Sequence, residues 1–277
     1  AFLSNLSRGE AYLSMAPTLW DVTFRTAVAQ AELEDREMPG AYHRLGFDGP
    51  EGKIFIETTR PELVPACVAL VAHPDDERYQ HLFGQSAKTP IFGVEVPIVA
   101  HRLAQIDKGS GIAMICTFGD VTDVIWWREL KLPMRPIIGF DGRILTEGPQ
   151  EILDGKGAEL YAEIAGKTVF SAKEVLVKAF MESGDMVGEP KPITHPVKFF
   201  EKGDKALEIV STRQWYIKNG GNDRPLAEKL IGRGSEMSFH PAFMRVRLED
   251  WINGLNGDWL ISRQRFFGVP IPIWYPL

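Results

Sequence analysis

The chain has 277 residues, 44% hydrophobic and 25% charged, with seven Trp and sixteen Phe to fill a core; this excludes disorder as the main state and fits one large or two small domains. A formal net charge of -6 argues against a generic nucleic-acid coat, while leaving room for a local basic groove. The two cysteines, Cys67 and Cys116, exclude a disulfide scaffold and a Cys-x-x-Cys zinc framework and fit a reducing cytosol.

The longest apolar runs, such as Val68 to Ala72, are far too short to span a bilayer, so no membrane association is expected. No basic start leads into an apolar run, so no secretion signal is read; a cytoplasmic location is expected, and, separately, a monomer. The opening Ala1 suggests a processed or excised chain. There is no internal repeat, and Gly and Pro are spread throughout, which predicts many short elements joined by turns.

In chain order, Thr18 to Phe24 and Ala27 to Leu33 read as a strand-rich connection, and Met38-Pro39-Gly40 as a break. Ala41, His43, Leu45 and Phe47 share one face of a strand, and Ile54 to Thr58 form a second. Pro61 opens a helical turn, and Val68 to Ala72 is a buried strand. Pro74-Asp75-Asp76 predicts a helix to about Phe83, with acids where the dipole favours them. Lys88 to Phe92 and Val94 to Ala100 form a hairpin across Gly93. Gly111 to Cys116 is a strand, Asp120 to Leu130 a helix, and Arg135 to Gly139 and Arg143 to Leu145 flank an Asp141-Gly142 turn. Ser171 to Glu174 reads as a capping box, with Gly184 stopping that helix. A strand near Leu207 to Val210 and helices from about Arg224 to Ile231 and Pro241 to Leu255 follow. The proline-punctuated end, Val269 to Tyr275, belongs at an edge.

Three stretches can carry chemistry. Thr58-Thr59-Arg60-Pro61-Glu62 offers hydroxyls that can hold a water and a planar fork for a phosphate or carboxylate. Lys108 to Asp123 runs from a glycine turn through a strand to two acids at a helix start, where a carboxylate can bind a substrate ammonium. Gly257 to Gly268 interleaves Trp259, Phe266 and Phe267 with Arg263 and Arg265, which suits nucleic-acid contacts or, equally, a core strand with a polar edge. Each has a blander reading. Spacing alone favours Asp120 as a helix cap and Asp123 as a first-turn acid. Thr58 and Thr59 fit ordinary strand positions, and Arg60 a surface charge. Gly109-Ser110-Gly111 lacks the spacing of a phosphate-binding loop. Cys116 has no sequence partner and fits a buried thiol, and the six His show no metal-ligand spacing.

Together the three stretches resemble the large class I aminoacyl-tRNA synthetases for valine, isoleucine and leucine. Asp258 to Gly268, followed by Pro270-Ile-Pro272, is similar to the segment where the family's editing insertion (CP1) rejoins the catalytic fold. Thr58 to Glu62 resembles its threonine-rich editing motif, and Gly109-Ser-Gly111 with Asp120 and Asp123 its second editing motif. His73 to Tyr79 matches the valyl branch most strongly, with Gly40 to His43 and Arg213 to Tyr216 as further matches. The resemblance implies a mixed α/β fold, a twisted and partly closed β-barrel with peripheral helices over 39–190. Connector strands would occupy 1–38, and a return connector with the start of the catalytic fold 191–277. The His-Ile-Gly-His and Lys-Met-Ser-Lys-Ser signatures are absent, so ATP and Mg would belong to the parent enzyme alone, and neither a cofactor for editing nor zinc is expected.

The implied activity is hydrolysis of mischarged tRNA, threonyl-tRNA(Val), docked by its acceptor end. By resemblance, Asp120 would hold the α-amino group, Thr58 and Arg60 would line the site near the terminal adenosine and ester, and Asp123 would contact the substrate hydroxyl or stabilise the pocket. Thr59, Lys108, Met114, Cys116 and Thr117 complete the expected lining. Four departures stand out: Lys108 replaces a phenylalanine, Met114 and Cys116 replace a lysine and a threonine, Thr117-Phe118-Gly119 replaces Pro-Ala-His, and Leu63 replaces a threonine. Cys116 or Thr117 would substitute as readers of the hydroxyl; otherwise editing would be weak or the pocket wired differently. The alternatives are a non-catalytic module that docks the tRNA acceptor end, and isoleucyl-type editing of valyl-tRNA(Ile).

Overall fold

The computed structural model of the chain describes residues 1–152, 154–255 and 257–275. The elements are, in order, α1 (Phe2–Ser7), β1 (Ala11–Asp21), β2 (Thr26–Ala27), β3 (Leu33–Gly49), β4 (Gly52–Thr58), β5 (Cys67–Ala72), β6 (Ser86–Lys88), β7 (Glu95–Ala100), β8 (Ile112–Cys116) and α2 (Val121–Leu130). Then come α3 (Gly155–Ile164), α4 (Val169–Ser183), β9 (Lys191–Phe200), β10 (Glu208–Ile217), α5 (Arg224–Ser235), α6 (Met244–Asn253) and β11 (Trp259–Leu260). The chain divides into two compact units: one of Ala1–Ala16, Thr26–Glu32 and Ser211–Leu277, the other of Pro17–Arg25 and Leu33–Val210. No helix among the described residues is long and apolar enough to cross a membrane.

The larger unit is mixed α/β. Its seven-stranded sheet has the order β4-β3-β6-β7-β5-β8, with β9 paired to β3. The sheet curls so strongly that β4 and β8, at opposite ends of the order, lie against each other, giving a partly closed barrel. Leu45, Phe47, Ile56, Leu63, Leu70 and Ile98 fill it, joined by Ile164 of α3 and by Leu176 and Phe180 of α4. β5 is apolar along its whole length because both its faces are covered. Leu70 and Ala72 join the main core, while Val68, Ala69 and Val71 pack with Ile115 and with Trp126 of α2.

Several sequence expectations change here. Met38-Pro39-Gly40 is no break: it lies inside β3, which pairs antiparallel with β9 from Leu33↔Phe200 to Tyr42↔Lys191 and with β4 from His43↔Thr58 to Gly49↔Gly52. Pro39 is tolerated because this half of β3 has only β9 as a neighbour, leaving its other edge free of ladder bonds. Gly40 leaves room for the His195 ring, which would have to shift to admit a Cβ 2.6 Å from its Cε1. The helix expected from Pro74 to Phe83 reduces to turns and a short 3-10 segment, Gln80–Leu82. Asp76 takes the amide and the guanidinium of Arg78, a local bond that competes with helix formation. Ser171 is not the cap of α4; Thr168 is, accepting the Ser171 amide at 3.2 Å, while Gly184 ends the helix in the left-handed region as expected. The final helix is shorter than Pro241 to Leu255, running Met244–Asn253.

A second, four-stranded sheet has the order β11-β10-β1-β2. Side chains of the Asp258 to Gly268 stretch stitch it together. The Ser262 hydroxyl donates to Gln214 Oε1 at 2.5 Å, and Gln264 Nε2 donates to the same oxygen at 3.0 Å. Arg263 pairs with Glu32 at 2.7 Å. Arg265 reaches Glu32 at 3.4 Å, so both arginines meet a carboxylate, while Trp259, Phe266 and Phe267 are exposed.

Candidate active site

Two chain segments far apart in sequence meet where β4 and β8 end. After Thr58 the chain turns, and the Thr58 hydroxyl oxygen accepts the Arg60 amide at 3.0 Å. Arg60 then reaches three ways: Nε to Glu62 at 2.9 Å, NH2 to Glu208 at 2.9 Å, and NH1 to the Gly119 carbonyl at 3.2 Å. Burial opposes its charge, but Glu208 and Glu62 more than offset that and raise its pKa. The same burial leaves Glu208 above its usual value despite Arg60. The fork expected of Arg60 is therefore engaged by two carboxylates and one carbonyl.

The Gly119 carbonyl begins the second segment. β8 leads into α2 through Thr117-Phe118-Gly119, and Asp120 caps the helix. Asp120 Oδ1 accepts the amides of Thr122 at 2.6 Å and Asp123 at 3.0 Å. Asp123 Oδ2 accepts the amides of Gly119 at 2.7 Å and Asp120 at 3.3 Å. The residue at 119 must be small, because a Cβ would stand 2.7 Å from Asp123 Oδ2 and 3.2 Å from Leu63 Cδ1. Asp123 is buried, and burial, followed by the charge of Asp120, pushes its carboxyl well above the ordinary carboxylate range. Asp120 is exposed, and its Oδ2 has no partner among the described residues. The cap reading holds for Asp120, and it leaves one carboxylate oxygen open to a ligand.

α2 is fixed from behind. Trp126 Nε1 donates to His101 Nδ1 at 3.1 Å, and His101 Nε2 stands 2.9 Å from Glu129. The glycine turn of the second stretch is held by the His73 to Tyr79 segment: Arg78 NH2 donates to the Ile106 carbonyl at 3.0 Å and Tyr79 Oη to the Ser110 carbonyl at 2.7 Å.

The structure thus joins the turn of Thr58, Thr59 and Arg60 to the segment that carries Asp120 and Asp123, through the bond from Arg60 to the Gly119 carbonyl. It does not bring Lys108 to them; that side chain is exposed and lines a separate hollow of about 560 Å³ with His73, Arg102 and Asp107. Met114 lies in the core opposite Leu70. Cys116 is buried opposite Cys67, its thiol donates to the Leu63 carbonyl at 3.4 Å, and burial raises its pKa. The Thr117 hydroxyl oxygen accepts the Arg135 amide at 2.8 Å. Three residues escaped the sequence analysis. Glu62 and Glu208 flank Arg60, and Lys173 of α4 donates to the Thr59 carbonyl at 2.7 Å. Glu62 stands inside the quoted threonine-rich stretch; Lys173 and Glu208 carry no local signal. Among the described residues no group of three or more His, Cys, Asp or Glu could hold a metal ion.

The family model for class I tRNA synthetases (I, L, M and V) matches residues 1–276. The chain is 72% identical to the valine--tRNA ligase of Leifsonia xyli subsp. xyli, 68% to that of Thermobifida fusca and 67% to that of Cutibacterium acnes. Each match covers 100% of this chain and 32% of the relative, so the chain spans about a third of the length of these ligases.

Proposed function

The chain belongs to the class I tRNA synthetases (I, L, M and V), and on that footing we propose that it hydrolyses the ester of threonyl-tRNA(Val), removing an amino acid attached in error. An apolar pocket that accepts valine rejects the near-isosteric threonine poorly, this pair being a standing example of the limit. A second site that hydrogen-bonds the hydroxyl reverses the preference, because valine leaves its polar groups unpaired.

The observation that carries this reading is the Arg60 to Gly119 bond, which joins the threonine turn to the cap of α2. It joins the segment carrying the exposed Asp120 carboxylate to the turn carrying Thr58 and Thr59, residue types that can hold an aminoacyl ester. Asp120 Oδ2 accepts the substrate ammonium in a charge-assisted hydrogen bond. Thr58 and Thr59 hold the attacking water. Water adds to the ester carbonyl, the bond to the terminal ribose oxygen breaks, and that oxygen leaves with a proton, giving free threonine and tRNA. The ester is already activated, so positioning and oriented donors suffice without a protein nucleophile.

Deacylation of threonyl-tRNA(Val) by this chain and by Asp120→Ala, at high protein concentration, tests the reading. Loss in the variant supports it. Equal, background rates for both would leave only a module that docks the acceptor end. Faster release from valyl-tRNA(Ile) than from threonyl-tRNA(Val) would move the specificity to the isoleucyl type. Binding should weaken with added salt, since phosphate contacts release counterions.

A further inference from the structure

Lys173 lies on α4, 114 residues from the carbonyl it holds. The helix packs on the 3-10 segment Pro61–Ala66, so the long side chain reaches back across that segment to the turn after β4. Its ammonium donates to Thr59 O at 2.7 Å, in a half-buried position close enough to Arg60 and Glu62 to feel both charges. An ammonium has three donors. Nearby, Glu62 Oε2 is buried with no hydrogen-bond partner, and Arg60 directs three of its five N–H donors to Glu62, Glu208 and Gly119. Within the threonine turn, the Thr58 hydroxyl is fixed by the Arg60 amide, while the Thr59 backbone is fixed from outside the segment by Lys173.

We propose that Lys173 is a positioning residue for ester hydrolysis: by holding the Thr59 carbonyl it fixes the Thr59–Arg60 peptide, whose amide holds the Thr58 hydroxyl. This role rests on the deacylation proposed above. A Thr59–Arg60 peptide free to reorient would shift the Thr58 hydroxyl that its amide holds by about an ångström, and misplacement of that size can cost about a hundredfold in rate. Guanidinium at the same position can still donate to the carbonyl, whereas a thioether of similar length cannot.

The test compares wild type, Lys173→Met and Lys173→Arg in the 277-residue chain, measuring threonyl-tRNA(Val) deacylation over a range of substrate concentrations alongside thermal unfolding. Lys173→Met is expected to lose roughly 10–100-fold in the saturating rate, with the half-saturating concentration little changed. Lys173→Arg is expected to recover most of that loss. A full wild-type rate in Lys173→Met would overturn the role of Lys173 and leave the hydrolase reading standing. An equal loss in Lys173→Met and Lys173→Arg, tracking an equal fall in melting temperature, would reduce Lys173 to a fold-stabilising contact and overturn the proposal. No deacylation by the wild-type chain would remove the hydrolase reading, and this role with it.

Discussion

Asp120 and Asp123 cap each other: Oδ1 of Asp120 accepts the Asp123 amide at 3.0 Å, and Oδ2 of Asp123 accepts the Asp120 amide at 3.3 Å. The bonds that start α2 are thus the bonds that aim the exposed carboxylate. Asparagine at 120 keeps an oxygen for the cap and drops the charge. Asp120→Asn should therefore unfold near the wild-type midpoint and lose deacylation. Asp120→Ala should lose deacylation and also about 1 kcal/mol of stability. Denaturant unfolding beside the deacylation assay separates the two, and a fully active Asp120→Asn would mean that the substrate ammonium is held elsewhere.

The buried partner of this pair gives a pH signature. Burial and the charge of Asp120 raise the Asp123 carboxyl well above its ordinary value. A raised folded-state pKa means that the folded protein binds the proton more tightly. The stability it contributes is complete below the unfolded value, about 3.9, and is lost as pH rises through the folded one. Asp123→Asn removes this titration and keeps an acceptor for the Gly119 amide. The unfolding free energy of wild type minus that of Asp123→Asn should fall as pH rises from about 4 and level off once Asp123 ionises. A difference independent of pH would show that Asp123 titrates alike in both states.

Arg60 gives the largest expected loss of stability. It stands between Glu62 and Glu208, both buried, and its removal takes the salt-bridged cation from both carboxylates. Breaking a buried pair by deleting one partner costs roughly 3–5 kcal/mol. Arg60→Met should lose an amount of that order, and adding Glu208→Gln should restore part of it, since one stranded charge is then gone. Strict additivity of the two changes in a double-mutant cycle would deny the coupling.

Much of this architecture is legible in the residue pattern. The unbroken apolar run Val68 to Ala72, the alternation at His43, Leu45 and Phe47, and the Asp120 cap all depend on neighbours in sequence, and each forms its element as expected. Thr58, Arg60, Asp120 and Asp123 lie in two quotable stretches, and the structure brings those stretches together. What sequence could not supply are partners fixed by topology. Glu208 is 148 residues from Arg60, and Lys173 is 114 from Thr59. Met38-Pro39-Gly40 misleads for the same reason, because local turn chemistry yields to ten residues of pairing with β9. At Asp76 the error runs the other way: a local bond to Arg78 outweighs first-turn helix charge.

Gly119 is where packing and the proposed chemistry are most tightly joined. Its backbone serves both sides of the site: its carbonyl accepts Arg60 and its amide donates to Asp123. A methyl group at 119 would press on Asp123 Oδ2 at 2.7 Å and on Leu63 Cδ1 at 3.2 Å, and neither neighbour has room to retreat, since both are buried. Gly119→Ala should cost about 1–3 kcal/mol, the usual range for overpacking. It should also depress deacylation by more than the fraction of unfolded protein explains, because Asp120 is the next residue. Gly232→Ala in α5 is the control: nothing lies within 4 Å of its Cβ position. That change should be neutral or stabilise by up to about 1 kcal/mol, as alanine does in a helix. Melting curves and deacylation rates for both variants check this, and a Gly119→Ala chain as active and stable as wild type would show that the cap tolerates displacement.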